Sequence, residues 1–228
     1  MRIAPASDSS IFVGFGESIT PEHHAQVMTL LRRLFALAHP HIRNVHPAYS
    51  SVLIDFDPLY VSYEQMRNLL GPLIAEVVRA EAKSTNLVEI PICYDPTFGP
   101  DIEFVSAHTK LSLEQIIAAH TSGQYFVYFL GFTPGFGYLG PLPSELTVPR
   151  HASPRKRVAT GSVGIAGIQT AVYPSDSPGG WQLIGRTPLR MFNPSDPQPS
   201  RLQPGDDVRF RSISREEFVA IAAEEHRR

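Results

Sequence analysis

The amino-acid sequence predicts an α+β N-terminal domain over residues 1–91, followed by a mainly β barrel domain over residues 92–228. The first part alternates short apolar runs with longer stretches of helical period, which is typical of strands and helices in turn. Between residues 131 and 205, by contrast, the chain contains twelve of its 21 prolines and eleven of its 16 glycines. Such residues divide a chain into short strands joined by tight turns, which favours a barrel or a sandwich.

The N-terminal domain is predicted to begin with a strand at residues 11–15, followed by a helix. Thr20 can cap that helix with its hydroxyl group, and Pro21 suits the first helical position. Pro40 ends the helix, because its ring disfavours helical backbone at the residue before it. The next two predicted strands are residues 42–46 and 51–56.

A second helix is predicted to open with a capping box, in which Ser62 and Gln65 each bond the other's backbone N–H. The alternation of Val88, Ile90 and Ile92 then predicts a closing strand. The resulting order of strand, helix, strand, strand, helix and strand is the split βαβ, or ferredoxin-like, pattern. We therefore predict a ferredoxin-like N-terminal domain.

The C-terminal domain is predicted to begin with two short helices, at residues 101–108 and 112–120, and a strand at residues 125–130. Ser214 and Glu217 form a capping box that opens a helix at the end of the chain. The other predicted strands of the barrel are residues 162–166, 169–173, 181–185 and 207–211.

Composition excludes several classes of protein. The chain has 20 basic and 22 acidic residues, whereas a protein that binds nucleic acid through phosphates normally has a basic excess. Its longest apolar stretch, residues 125–132, is far shorter than the roughly 20 residues that span a bilayer. The N-terminus lacks a signal-peptide pattern, and the single cysteine, Cys93, cannot form an internal disulfide. We expect a cytoplasmic protein with neither a nucleic-acid nor a membrane partner.

The sequence lacks the common catalytic signatures. Residues 161–167 are rich in glycine but contain no lysine that could reach a nucleotide phosphate, so they do not form a phosphate-binding loop. Ser162 lacks the G-x-S-x-G spacing of an esterase nucleophile, which favours a role in a turn or at a strand start. None of the nine histidines has H-E-x-x-H spacing, so no metal site is predicted.

The segment GFTPGFGYLG, residues 131–140, spaces three aromatic side chains with glycines and a proline. Small residues let a backbone approach a ligand closely, and Phe132, Phe136 and Tyr138 could form the wall of a pocket. A turn-rich barrel corner with core aromatic residues explains the same pattern. Both interpretations remain open from the sequence.

A basic run and a glycine-rich loop complete the candidate residues. The planar guanidinium group suits carboxylates and phosphates, although a solvated surface would explain the same cations. In the loop, Gly179 and Gly180 precede the only tryptophan, Trp181, so backbone amides could contact an anion there or the ring could stack on a ligand. The cations of the run are Arg150, His151, Arg155, Lys156 and Arg157, followed later by Arg186 and Arg190.

At these residues the sequence resembles a known family, the B subunit of 5-oxoprolinase, also called allophanate hydrolase subunit 1, which includes a sporulation-kinase inhibitor. The resemblance extends from about residue 11 to residue 210. Its most specific blocks are GFTPGFGYLG, PRHASPRKRV, GSVGIAGIQTAVYP and SPGGWQLIGRTPLRMF. Ala159 and Ala171 stand where the family commonly has a proline and a glycine, which alters the stiffness of two turns.

The resemblance implies a ferredoxin-like domain followed by a cyclophilin-like barrel. It also implies two partners. One is a homologous cyclophilin-like protein, the C-type component of 5-oxoprolinase or allophanate hydrolase subunit 2, and the other is the A-type component of 5-oxoprolinase. Together these proteins would open 5-oxo-L-proline to L-glutamate while hydrolysing ATP, which binds with Mg²⁺, to ADP and phosphate.

The resemblance directs attention to particular residues. Arg155, Arg157 and Arg186 are expected to contact anions, and Gln169 and Thr170 to position polar groups. We expect a cleft with cations on one side and rings on the other. No residue is a convincing general base, which suggests that the site is completed by another protein of the complex. The remaining candidates are Phe132, Phe136, Tyr138 and Trp181 as an apolar wall, Gly179 and Gly180 for close backbone approach, and Arg150 and Ser177 as further binding residues.

Two alternatives remain. A groove with aromatic walls could bind a proline-containing segment of a histidine kinase and inhibit it without chemistry, because a fold does not determine a function. Alternatively, the substrate could be urea or allophanate, since the same paired domains form the carboxyltransferase part of urea carboxylase.

Overall fold

The computed structural model describes residues 1–77, 86–225 and 227. The chain divides into two compact units, Met1–Ser84 and Thr85–Arg228. Each unit has its own hydrophobic core. Among the described residues, no helix combines the length and the apolar character needed to cross a bilayer.

The first unit is a four-stranded antiparallel sheet with strand order β1-β2-β4-β3. Alternate residues of its strands enter the core, so Val52, Ile54 and Phe56 are all buried. Thr20 caps the first helix by accepting a hydrogen bond from the His23 N–H at 3.2 Å. The elements are β1 (Arg2–Ser7), β2 (Ser10–Gly14), α1 (Pro21–Leu37), β3 (Ile42–Pro47), β4 (Ser51–Phe56) and α2 (Tyr63–Val77).

The complete ferredoxin-like arrangement predicted for this unit is not confirmed. The predicted closing strand exists as β5 (Leu87–Ile92), but it lies in the sheet of the second unit, where it pairs in parallel with β13 (Asp207–Ser212). The place beside β2 is taken by β1, which no pattern in the sequence predicts. The reason is physical: β1 is largely exposed and has no apolar alternation, and the alternation in β5 predicts a strand without indicating its partner.

The second unit is built on a seven-stranded sheet with order β12-β9-β10-β7-β6-β13-β5. Its two ends meet where Cys93 and Arg186 exchange backbone hydrogen bonds of 2.9 and 3.0 Å, so the sheet closes on itself. This geometry confirms the predicted barrel. The other elements are α3 (Ile102–Thr109), α4 (Leu113–Ser122), β6 (Tyr125–Leu130), β7 (Gly137–Gly140), a 3₁₀ turn (Ser144–Leu146), β8 (Arg155–Val158), β9 (Ser162–Ala166), β10 (Gln169–Val172), β11 (Ser177–Gly179), β12 (Gln182–Arg186) and α5 (Arg215–Glu225).

Most predicted elements of the second unit are confirmed within one or two residues, including β6, β9, β13 and both short helices. Three short strands were missed: β7, β8 and β11. Their sequences, GYLG, RKRV and SPG, carry glycine, proline or charge in place of an alternating apolar pattern.

A polar chain crosses the core of the barrel at His120, which is fully buried. The Thr170 hydroxyl donates to the Gly164 carbonyl at 3.1 Å, so its oxygen accepts from His120 Nε2 at 3.0 Å. His120 Nδ1 then accepts the hydroxyl proton of Tyr94 at 2.7 Å. The imidazole is therefore neutral, and burial lowers its pKa from the ordinary 6.5 to about 3.

His120 should make the second unit sensitive to acid. Between pH 6.5 and pH 3 the unfolded state binds a proton that the folded imidazole does not, so the free energy of unfolding falls as pH falls. The expected contribution is roughly 1 kcal/mol per pH unit. Denaturant unfolding followed by Trp181 fluorescence at pH 5 to 7 measures this slope, and His120→Gln, which does not titrate, should flatten it. Equal slopes for the two proteins would contradict the prediction.

Candidate functional site

A pocket of about 310 Å³ opens in the second unit. It lies where the turn between β6 and β7 meets the loops flanking β8 and β11. Aromatic rings, prolines and glycine backbone form most of its wall, and its polar edge comes from two consecutive basic residues. The lining residues are Phe132, Phe136, Tyr138, Arg150, His151, Pro154, Tyr173, Pro178, Gly179, Gly180 and Trp181.

Phe136 is the centre of the aromatic wall. It is buried, and its ring centroid lies 5.0 Å from that of Tyr138, 5.3 Å from that of Tyr173 and 5.8 Å from that of Trp181. All three contacts are edge-to-face, the arrangement that aromatic quadrupoles favour. Phe132 contacts Phe136 in the same way, but 59% of its surface is exposed. The four predicted wall residues therefore lie together around one pocket.

Local backbone geometry explains why the turn before β7 is rich in glycine. Gly135 has a φ of +82°, and a Cβ atom there would lie 2.6 Å from the Cβ of Phe192. A side chain at this position would be both strained and obstructed. The turn can thus bring Phe136 inward only with glycine before it.

The two glycines before Trp181 are not equivalent. A Cβ atom on Gly179 would lie 2.5 Å from the hydroxyl oxygen of Tyr173, which is buried and contacts Phe136. A Cβ atom on Gly180 would meet only Pro154, at an ordinary 3.6 Å. The close packing of the loop backbone against Tyr173 therefore requires glycine at position 179, but not at position 180.

Arg150 supplies the formal positive charge of the pocket lining. Its guanidinium carbon lies 5.7 Å from the centroid of the Trp181 ring, within the range of a cation–π contact. Its neighbour His151 is tied to the glycine loop, because the His151 backbone N–H donates to the Gly180 carbonyl at 2.7 Å. Burial raises the pKa of Tyr138 and Tyr173, so both phenols are neutral at pH 7.

Behind the pocket, a buried carboxylate organises the basic residues. Asp101, only 5% exposed, accepts a hydrogen bond from the Leu183 N–H at 2.7 Å and an ion-paired bond from Arg155 Nη2 at 2.5 Å. Its other contact is His151, whose Nε2 lies 3.3 Å from Oδ2. Arg155 therefore supports the pocket through Asp101 and His151 and does not line it.

Several predicted site residues lie outside this pocket. Arg157 pairs with Asp176 on the surface, through its Nε at 2.7 Å. Arg186 Nε donates to the Thr160 carbonyl at 2.7 Å. The expected cationic side of the cleft is thus reduced to the guanidinium group of Arg150, with His151 next to it in the chain. Three other predicted site residues also lie outside the pocket lining. They are Gln169, half-buried at the start of β10; Thr170, buried against His120; and Ser177, buried in β11.

Five residues of the site were not predicted. One is Asp101, and the other four line the pocket: His151, Pro154, Tyr173 and Pro178. Asp101 lies 54 positions before Arg155 and was assigned only to the start of a helix, so no local pattern links it to the basic run. His151 belonged to that run but carried no distinguishing spacing. Within residues 1–77, 86–225 and 227, no cluster of three or more histidine, cysteine, aspartate or glutamate side chains could hold a metal ion.

Comparison with known proteins identifies the family. The family model "Carboxyltransferase domain, subdomain C and D" matches residues 1–202. The B subunit of 5-oxoprolinase from Bacillus subtilis is 38% identical over 98% of this chain and 97% of its own length. The chain belongs to the family of 5-oxoprolinase B subunits. A second member, from Escherichia coli O157:H7, is 53% identical over 55% of this chain and 58% of its own length.

Two longer proteins contain a similar region. The crystal structure of TTHA0988 superimposes with a TM-score of 0.80 at 35% identity, covering 90% of this chain but only 40% of TTHA0988. Urea amidolyase from Lachancea kluyveri is 24% identical over 93% of this chain and 13% of its own length. This member of the 5-oxoprolinase family therefore corresponds to a part of each longer protein.

The glycine geometry gives a matched pair of variants. Gly179→Ala should lower the free energy of unfolding by about 1–3 kcal/mol, the usual cost of overpacking, because the new methyl group meets the packed Tyr173 ring. Gly180→Ala should change it by less than about 1 kcal/mol, apart from loop entropy. Chemical denaturation measures both, and equal effects would mean that the Tyr173 ring moves freely.

The position of Arg186 predicts a structural role. Arg186→Ala removes the hydrogen bond to Thr160 and a guanidinium group 5.9 Å from the Phe98 ring centroid. We expect a loss of about 1 kcal/mol in stability. Thermal unfolding measures this loss. A normal unfolding temperature together with a hundredfold loss of activity in an assembled complex would instead restore Arg186 as an anion contact.

Proposed function

We propose that this chain is one subunit of an ATP-dependent 5-oxoprolinase, which opens 5-oxo-L-proline to L-glutamate while ATP is hydrolysed to ADP and phosphate. The observation that carries the proposal is similarity along nearly the whole length of a 5-oxoprolinase component. These relatives are named as subunits, which implies a complex of several proteins. The proposed partners are a homologous protein of the C type and a third protein of the A type, in the cytoplasm.

The pocket suits the proposed substrate in size and chemistry. Its volume of about 310 Å³ lies at the lower end of the roughly 300–1,000 Å³ typical of ligand pockets, which favours a small ring acid over a whole nucleotide. The carbon skeleton of 5-oxoproline would contact Phe136, Tyr138 and Trp181. Its carboxylate would pair with the guanidinium group of Arg150, which is the charged group of the lining that recognises a carboxylate best.

ATP is needed because the lactam is a stabilised amide. Transfer of the γ-phosphoryl group to the lactam oxygen forms an O–P bond and breaks the bond to ADP. Water then adds to the ring carbon, the C–N bond breaks, and the nitrogen leaves with a proton as the amine. A second water molecule hydrolyses the resulting acyl phosphate, which releases phosphate and glutamate.

In this proposal the chain binds and orients the ring acid, and the assembled complex delivers the phosphoryl group. ATP would arrive as its Mg²⁺ complex, because cations bridge and neutralise the phosphate oxygens during phosphoryl transfer. The rings around Phe136 exclude water from one side of the substrate, which limits uncoupled hydrolysis.

The similarity to urea amidolyase supports a second candidate substrate, urea or allophanate. Urea has no carboxylate, so a preference for urea would leave Arg150 without a charged partner on the ligand. The decisive experiment co-expresses the chain with both proposed partners and measures ADP release with 5-oxoproline, urea and allophanate in turn. Release that depends on 5-oxoproline supports the proposal. No release with any substrate, together with tight binding to a histidine kinase, would favour an inhibitor.

Arg150 provides a mutational test. Arg150→Met keeps much of the side-chain length but removes the charge, so kcat/KM for 5-oxoproline should fall about 10–100-fold, the equivalent of roughly 1.5–3 kcal/mol for a hydrogen bond to a charged group. Most of the change should be in KM, because a carboxylate contact is made before and during the reaction. Lys156→Met, an equal charge change at an exposed neighbour, is the control. Unchanged kinetics of Arg150→Met would exclude this carboxylate site.

A further inference from the structure

The hydrogen-bond partners of His151 determine where its proton lies. Arg155 Nη1 is 2.6 Å from His151 Nε2, whereas Asp101 Oδ2 is 3.3 Å from the same nitrogen. A guanidinium N–H can only donate, so the short contact requires a lone pair on Nε2. In the neutral ring the proton is then on Nδ1.

Arg155 cannot easily leave this position. Its Nη2 is 2.5 Å from Asp101 Oδ1, and Asp101 is fixed by the Leu183 N–H of β12. The side chain of Asp101 is only 7% exposed, so its charge is shielded from water and depends on Arg155 for compensation. The pair thus presents a rigid donor to Nε2 and holds the imidazole in one tautomer.

The other nitrogen is available to a ligand. His151 lines the pocket, its side chain is 29% exposed, and its Nδ1 has no hydrogen-bond partner among the residues that the structure describes. The backbone hydrogen bond to the Gly180 carbonyl fixes the position of the residue. His151 and Arg150 together form the polar edge of the pocket, and Nδ1 is the ring nitrogen of His151 that the described residues leave unbonded.

We propose that His151 is a substrate-binding residue that donates its Nδ1–H to the carboxylate of the bound ring acid, completing with Arg150 a two-residue carboxylate clamp. Arg155 is the positioning residue that selects this tautomer, and Asp101 holds Arg155 in place; neither touches the ligand. The ligand assignment rests on the proposed function, whereas the tautomer does not. The residues of the basic run thus have different roles. Arg150 supplies the positive charge, His151 donates a directional hydrogen bond, and Arg155 orients the His151 ring.

The tautomer can be measured on the full chain alone. Long-range ¹H–¹⁵N correlation spectra of ¹⁵N-labelled protein at neutral pH distinguish a protonated ring nitrogen from one with a lone pair, and His151→Asn identifies the signal. We expect a proton on Nδ1 and none on Nε2. Arg155→Met should transfer population to the Nε2–H form, while Lys156→Met should not. A wild-type spectrum with Nε2–H, or with both nitrogens protonated, would overturn the proposal.

The binding role is tested in the reconstituted complex by 5-oxoproline-dependent ADP release. The amide nitrogen of asparagine can occupy the place of Nδ1, whereas that of glutamine corresponds to Nε2. His151→Asn should therefore keep kcat/KM within about threefold of wild type, and His151→Gln and His151→Ala should lose about 10–100-fold, mainly in KM. Circular dichroism and unfolding temperature confirm that each variant folds.

The outcomes separate the two proposals. A wild-type complex with no 5-oxoproline turnover would refute the proposed function and, with it, the carboxylate ligand, and would leave the spectra to decide the tautomer. An active complex in which His151→Ala has normal KM would refute only the clamp. Equal losses for the asparagine and glutamine variants would show that His151 acts otherwise than through a donor at Nδ1.

Discussion

The carboxylate of Asp101 is the interaction on which the candidate site depends. It joins three separate parts of the second unit: the start of α3, the backbone of β12 at Leu183, and Arg155 on β8. A buried carboxylate must be compensated by charge and hydrogen bonds, so its partners are held as firmly as the carboxylate itself. Through Arg155 and His151 that constraint reaches the pocket, while the aromatic wall around Phe136 gives the pocket its shape.

The sequence predicted those parts of the fold in which local chemistry is sufficient. Capping boxes mark helix starts by reciprocal side-chain bonds, and the box of Ser214 and Glu217 is present, with contacts of 2.9 and 3.2 Å. Partner choice between strands is not a local property, and β5 shows this most clearly. Its alternation was recognised, but its parallel pairing with β13 depends on residues some 120 positions away.

The same distinction applies to the site. Phe132, Phe136, Tyr138 and Trp181 were predicted as a wall and line one pocket, because glycine-spaced rings signal their own clustering. The spacing of the arginines does not indicate which of them line a pocket. Arg155 pairs with Asp101 and Arg157 with Asp176, although only one residue separates them on β8. Which carboxylate each arginine meets is decided by tertiary structure, and so a basic run alone could not distinguish a binding residue from a supporting one.

The strand order also affects when the second unit can form. β13 comes near the end of the chain but lies inside the sheet, between β6 and β5. Until the ribosome has released it, β5 lacks its ladder partner and the barrel cannot close. Among the residues that the structure describes, the sheet of the first unit consists of β1 to β4 only. The four strands of the N-terminal sheet are therefore synthesised before β13. That sheet can be complete while the second unit still lacks β13.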